Sequence, residues 1–113
     1  MFHIGGMDSL RQERVRDLAL EICDRAAEQA WTGPVPRTPA LRIALGCLAL
    51  ICPAAREALV RFWRGSRLPD DTERHLALVA AMLDIRYALG LLNVRQYMAQ
   101  RVRLPVETKK GRR

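Results

Sequence analysis

Residues 39–55 carry the stretch that decides the fold, P-A-L-R-I-A-L-G-C-L-A-L-I-C-P-A-A. After Arg42 this stretch has no charged side chain. A helix that is apolar on every side has to be buried on every side. We therefore predict an all-α fold, a compact five-helix bundle around a central apolar helix at about residues 39–52.

The composition agrees with packed helices. Half of the 113 residues are apolar and 5% are aromatic, and the β-branched and aromatic residues that favour strands are scarce. A chain of this length can bury one core without a metal or disulfides. Cys23, Cys47 and Cys52 lack the spacing of a zinc site or a disulfide framework. We expect free buried thiols, no cofactor and a cytoplasmic protein, and the central apolar run is too short to span a membrane.

Capping residues and prolines divide the chain into elements. The predicted helices run from about Ser9 to Trp31, from Pro39 to Ile51, from Pro53 to Arg64, from Asp70 to Leu92, and from Asn93 to a point before Pro105. The expected N-caps are Thr38, Asp70 and Asn93, and Gly65 is expected to stop the third helix. We expect a flexible extension over residues 1–7, one helical domain over residues 8–104 and a disordered basic tail over residues 105–113.

The fourth predicted helix has apolar side chains on two opposite sides. One stripe is Leu76, Val79, Ala80, Leu83 and Tyr87, and the other is Leu78, Met82, Ile85, Leu89 and Leu92. An uncovered stripe would be an apolar patch of the kind that marks an interface. We predict that the second stripe contacts another protein or a second copy of the chain, as a homodimer. The alternative is a monomer in which the other helices cover both sides.

Positive charge is concentrated in two segments of this chain, whose net charge is +7. Residues 32–68 hold six arginines against one glutamate, and residues 93–113 hold seven basic residues against one glutamate. Arginine in such excess suits phosphate binding, although a solvated arginine-rich face is the alternative. The candidate nucleic-acid contacts are Arg56, Arg61, Arg64, Arg67, Lys109 and Lys110.

Residues 45–69 resemble the helix-turn-helix of Cro/repressor-type DNA-binding proteins. They read L-G-C-L-A-L-I-C-P-A-A-R-E-A-L-V-R-F-W-R-G-S-R-L-P. Ala49 falls at the small position of that motif, and Gly65 and Pro69 fall at its closing G-x-x-x-P. The buried positions of the motif are taken by Leu48, Cys52, Leu59 and Phe62.

The resemblance implies that the third helix enters the major groove of DNA with Arg56 and Arg61 facing the bases. The sequence departs from the motif at Pro53, where the turn usually has glycine. It also departs in the first helix of the motif, which is apolar where that helix normally presents a polar face to the DNA backbone.

The sequence contains no recognisable catalytic arrangement. A carboxylate pair, a nucleophile with a base, a glycine-rich phosphate loop and metal-ligand spacing are all missing from the pattern. His75 follows Asp71 by one helical turn, which favours a surface hydrogen bond. We predict a small non-enzymatic regulatory or adaptor protein, with no small-molecule substrate, that acts through an apolar helix. The alternative is a DNA-binding transcriptional regulator that uses the arginine-rich helix at residues 54–67 and the basic tail.

Overall fold

The computed structural model describes residues 9–104, which form five α-helices and two 3-10 turns with no strand. The helices are α1 (Ser9–Gln29), α2 (Pro39–Ile51), α3 (Arg56–Gly65), α4 (Asp71–Ala88) and α5 (Val94–Arg101). The 3-10 turns are Ala30–Thr32 after α1 and Pro53–Ala55 before α3. The all-α prediction is confirmed. The extension at residues 1–7 and the tail at residues 105–113 lie outside the described residues.

The three predicted N-caps are present. The Thr38 hydroxyl oxygen accepts a hydrogen bond from the Leu41 backbone N–H, and the Asp70 carboxylate accepts one from that of Glu73. Asn93 and Gln96 form a reciprocal capping box at the start of α5. Each of these contacts satisfies a backbone donor that the helix itself leaves unpaired.

α4, and not α2, is the helix at the centre of the bundle. It contacts α1, α3, α5 and both 3-10 turns. α2 packs mainly on α1, and Ile43 and Leu50 on its outer side are 65% and 58% exposed. The prediction that the helix at residues 39–52 is central and buried on every side is therefore wrong. α4 is longer than α2 and has apolar side chains on two sides. With α4 at the centre both of these sides are buried, whereas with α2 at the centre one side of α4 would face solvent.

The row on α4 that was predicted to contact a partner belongs to the core of this chain. Leu78, Met82 and Ile85 are 0%, 4% and 0% exposed. Leu89 is half-buried against the same core, and Leu92 is half-buried beyond the end of the helix. The prediction that this row contacts another molecule is therefore wrong, because the row is buried in the core and α1 and α3 pack against α4.

Two glycines have specific structural roles: Gly90 ends α4, and Gly65 allows α3 and α4 to pack closely. α4 ends at Ala88, short of the predicted Leu92, because Gly90 adopts a left-handed conformation with φ of +79°. Gly65 closes α3 without a positive φ. A Cβ atom on Gly65 would lie 3.1 Å from the Ala77 Cβ atom, so this glycine allows α3 to approach α4.

Charged side chains join the helices around the core. Arg86 of α4 donates two hydrogen bonds, of 3.1 and 2.6 Å, to the carboxylate of Asp24 on α1. Asp84 of α4 accepts hydrogen bonds from Arg61 of α3 at 2.9 Å and from the Tyr97 hydroxyl of α5 at 2.6 Å. Tyr97 is the α5 residue in this network. It also stacks on Tyr87 of α4 with 4.7 Å between the ring centroids, which holds α5 against α4 although α5 buries none of its own residues.

Candidate binding face

A groove between α2 and α3 is the candidate functional site. Its volume is about 520 Å³. The lining residues are Arg42, Leu45, Gly46, Ala49, Arg56, Leu59, Val60, Trp63 and Arg64. The floor is apolar, and all the charged groups among the lining residues are arginines. We call this feature the α2–α3 groove.

Helical spacing explains why these residues share one surface. The lining residues recur at intervals of three and four on α2, from Arg42 to Ala49, and again on α3, from Arg56 to Arg64. Residues with this spacing lie on one side of a helix. Gly46 leaves open space in this surface, since nothing lies within 4 Å of the position that its Cβ atom would take. The groove is therefore formed by one side of each helix.

Arg37, in the connector before α2, adds to the positive charge at one end of the groove. The Arg37 guanidinium carbon lies 3.9 Å from the ring centroid of Trp63, and Nη2 of Arg37 donates to the Trp63 carbonyl oxygen at 2.8 Å. Partial burial lowers the pKa of Arg37, and the charges of Arg67 and Arg42 lower it further. Arg37 therefore lies within electrostatic reach of both Arg67 and Arg42.

The arginines around the groove lack acidic partners. The side chains of Arg42, Arg56, Arg64 and Arg67 form no ion pair with any of residues 9–104. Five other arginines pair with Asp17, Glu21, Asp24, Asp71 and Asp84, whereas Arg14, Arg95, Arg101 and Arg103 also lack an ion pair within residues 9–104. The α2–α3 face therefore carries positive charge that the described part of the chain leaves uncompensated.

The structure divides the six candidate nucleic-acid contacts. Arg56 and Arg64 line the groove, and Arg67 lies near Arg37 at its end. Arg61 pairs with Asp84 on the α4 side of α3, where it lines a second recess together with Arg64. The two lysines, Lys109 and Lys110, lie outside the described residues.

Two arginines of this face, Arg37 and Arg42, were missed as site residues. Their contribution is visible in the sequence only as part of the net charge of residues 32–68. Helical spacing does identify the inner side of this segment, since Ala55, Ala58, Leu59 and Phe62 recur at intervals of one, three and four residues and are all buried.

A second exposed apolar row lies on α5, where Val94, Met98 and Val102 are 61%, 53% and 76% exposed. Unlike the α2–α3 face, this row belongs to a single short helix of eight residues. The α2–α3 groove, in contrast, is lined by residues of two helices.

The histidine of α4 has a structural role. His75 Nδ1 lies 2.8 Å from the carbonyl oxygen of Ala27, and the ring stacks on Trp31 with 4.1 Å between centroids. Because a carbonyl oxygen only accepts, Nδ1 carries the proton and donates it to this bond. The partner is therefore the end of α1 and not Asp71, which pairs with Arg74.

The described residues were also searched for metal sites and for membrane-spanning helices. In the part of the chain that the structure describes, no group of three or more His, Cys, Asp or Glu side chains is placed to hold a metal ion. Within residues 9–104, no helix combines the length and the apolar character needed to cross a bilayer.

Comparison with protein-family models, with curated proteins and with solved structures finds no match to this chain.

Proposed function

We propose that this chain is a small non-enzymatic regulatory or adaptor protein that binds another protein through the α2–α3 groove and the outer side of α2. The observation that carries the proposal is the exposed apolar surface of α2. Ile43 and Leu50 are 65% and 58% exposed, and they lie on the same helix as the apolar floor of the groove. Contiguous apolar surface on a folded protein commonly marks an interaction site.

The residue types of this face support a protein partner. Aromatic residues and arginine are enriched in protein interfaces and supply much of their binding energy. Trp63 provides an aromatic ring in the groove, and Arg42, Arg56 and Arg64 provide guanidinium groups around it. The proposed surface replaces the row on α4, which is used by the core.

Site-specific photo-crosslinking in the cells that make the protein tests the proposal. A photoreactive amino acid is placed at Ile43 or at Val60, and at the exposed Thr72 of α4 as the control position. We expect adducts from the first two positions that are sensitive to protease and resistant to nuclease, and no adduct from Thr72. An adduct with twice the mass of the chain would identify the partner as a second copy. Equal labelling at all three positions, or no protein adduct, would contradict the proposal.

A DNA-binding regulator is the second candidate, favoured by the uncompensated arginines of the same face. α2, the 3-10 turn and α3 follow one another as in a helix-turn-helix. Arg56 and Arg64 lie on the open side of α3. Such a protein should bind duplex DNA with an affinity that falls steeply as salt rises, because binding releases counterions from the phosphates. Anisotropy of a labelled duplex across a salt series measures this, and lack of binding at low salt removes the candidate.

A further inference from the structure

We infer that the segment bound in the α2–α3 groove is an acidic amphipathic helix of the partner protein, an inference that rests on the proposed function. Apolar side chains of that helix would lie on the groove floor, and carboxylates beside them would meet Arg42, Arg56 and Arg64. The inference combines the shape of the groove, the open space over Gly46 and the distribution of charge.

The shape of the groove suits a short helical segment. The lining residues of α2 run from Arg42 to Ala49, eight residues whose seven steps correspond to roughly 10 Å, or about two helical turns. The floor between the two helices consists of Leu45, Ala49 and Leu59. Amphipathic helices bind in apolar grooves of this kind through side chains spaced three and four residues apart.

Gly46 gives the groove a place for one large side chain. It is exposed, and no atom lies within 4 Å of the position that its Cβ atom would occupy. A leucine, methionine or phenylalanine of the bound helix can therefore rest against the α2 backbone there. Since a bulky side chain at this position would occupy the same space without disturbing the core, Gly46→Leu should block binding.

The charge around the groove selects an acidic partner. Arg42 is on the α2 side, Arg56 and Arg64 are on the α3 side, and none of them pairs with a carboxylate within residues 9–104. Carboxylates on both sides of a bound helix would pair with these arginines. A second copy of the chain, with its own net charge of +7, fits this surface less well.

The apolar surface favours a protein helix over a nucleic acid. Duplex DNA would bring phosphates toward this side of the molecule, where Ile43 and Leu50 are exposed. Duplex DNA would also bring no apolar side chain to the floor of the α2–α3 groove. An acidic amphipathic helix satisfies the floor and the arginines together.

The test uses a designed peptide and the full-length protein with Trp31→Phe, which leaves Trp63 as the one tryptophan reporter. The peptide has about four helical turns, with leucines along one side and glutamates flanking them. We expect a saturable change in Trp63 fluorescence. Matched peptides replace the leucines with serine or the glutamates with lysine, and both should lose binding.

Charge-reversal variants locate the site. Arg56→Glu together with Arg64→Glu should weaken peptide binding by at least about tenfold, or about 1.4 kcal/mol. The control combines Arg14→Glu with Arg95→Glu, two exposed positions outside the groove that change the net charge equally. This control should alter affinity by less than about threefold, since the charges lie away from the bound peptide and are screened by salt. Circular dichroism verifies that every variant is folded.

Each outcome decides the inference. Binding of the serine peptide as tightly as the leucine peptide, or equal losses in the two charge-reversal variants, would overturn it, since binding would then be unspecific electrostatics. Failure of the leucine peptide while the photo-crosslinks persist would overturn the acidic helix and leave the proposed function standing. Tight duplex binding in place of peptide binding would identify the occupant as DNA and overturn both.

Discussion

Arg74 Nε donates a hydrogen bond of 3.0 Å to the carbonyl oxygen of Ala30, 44 residues earlier in the chain. The Arg74 side chain is 0% exposed, and Nη1 donates to the carbonyl oxygens of Leu68 and Pro69 at 2.6 and 3.2 Å. Nη2 pairs with the Asp71 carboxylate. One guanidinium group therefore fastens the end of α1 and its 3-10 turn to the loop that opens α4.

Replacement of this arginine should destabilise the fold more than any other loss of a single charge considered above. Arg74→Met removes a buried charge and the donors to three carbonyl oxygens, of which that of Ala30 is buried, and we expect the free energy of unfolding to fall by about 3 kcal/mol. Urea denaturation followed by circular dichroism measures it. Arg95→Met, at an exposed position, is the control and should change stability by less than about 0.5 kcal/mol. A loss below about 1 kcal/mol in Arg74→Met would contradict the role of this contact.

Local signals predict where α2, α4 and α5 begin, whereas the arrangement of the helices depends on residues far apart in sequence. Thr38, Asp70 and Asn93 cap helices as predicted because each side chain reaches a backbone N–H three residues ahead. The carbonyl groups that bind Arg74 meet only after folding, so spacing alone gives no sign of that contact. For the same reason apolar character alone could not show that α2 lies at the edge and α4 at the centre.

The candidate site, like the fold, could be predicted only in part from the sequence. Helical spacing places Arg64 between Arg56 and Arg61 around α3, so it could not show that Arg56 and Arg64, and not Arg61, line the groove. Arg42 reaches the same groove from α2, and Arg37 reaches Trp63 from the connector. Arg61 pairs with Asp84, a partner that only the tertiary structure identifies.

Gly90 and Gly46 should respond in opposite directions to replacement by alanine. Gly90 has φ of +79°, a conformation that costs an alanine about 1 kcal/mol, so Gly90→Ala should lower stability by roughly that amount. Gly46 is inside α2 with open space at its Cβ position, so Gly46→Ala should raise stability by about 0.5–1 kcal/mol through better helix propensity. Urea midpoints of the two variants check the signs. Shifts in the same direction would be inconsistent with these conformations.

The buried thiol of Cys23 should make the fold sensitive to alkaline pH. Burial, and next the charge of Asp24, raise the pKa of Cys23 from 9.0 to about 12, while Arg86 acts in the opposite direction. The folded state therefore holds this proton more tightly than the unfolded state does. The contribution to stability is complete below about pH 9 and is lost as the pH rises toward 12.

Cys23→Ala tests this dependence. Because the variant has no thiol at this position, its free energy of unfolding should fall less steeply above pH 9 than that of the unchanged chain, even though the lost side chain lowers stability at every pH. Urea denaturation at a series of pH values gives both slopes. Cys47→Ala, at a half-buried thiol, is the matched control for the removal of a cysteine. Equal slopes for all three proteins would show that Cys23 does not titrate differently on folding.

Met82 and Leu50 look alike in the sequence as apolar residues of apolar helices, but the structure separates them. Met82 is 4% exposed and Leu50 is 58% exposed. Met82→Glu would place a carboxylate in the core, and we expect it to lower the free energy of unfolding by about 4 kcal/mol or more. Leu50→Glu should alter stability by less than about 1 kcal/mol and should reduce crosslinking at Ile43, since it places charge on the proposed binding surface. Denaturant unfolding and size-exclusion mass are measured for both variants. A well-folded Met82→Glu protein with a smaller mass than the unchanged chain would mean that the α4 row is a contact surface between molecules after all, and that its burial within one chain is not the state in solution.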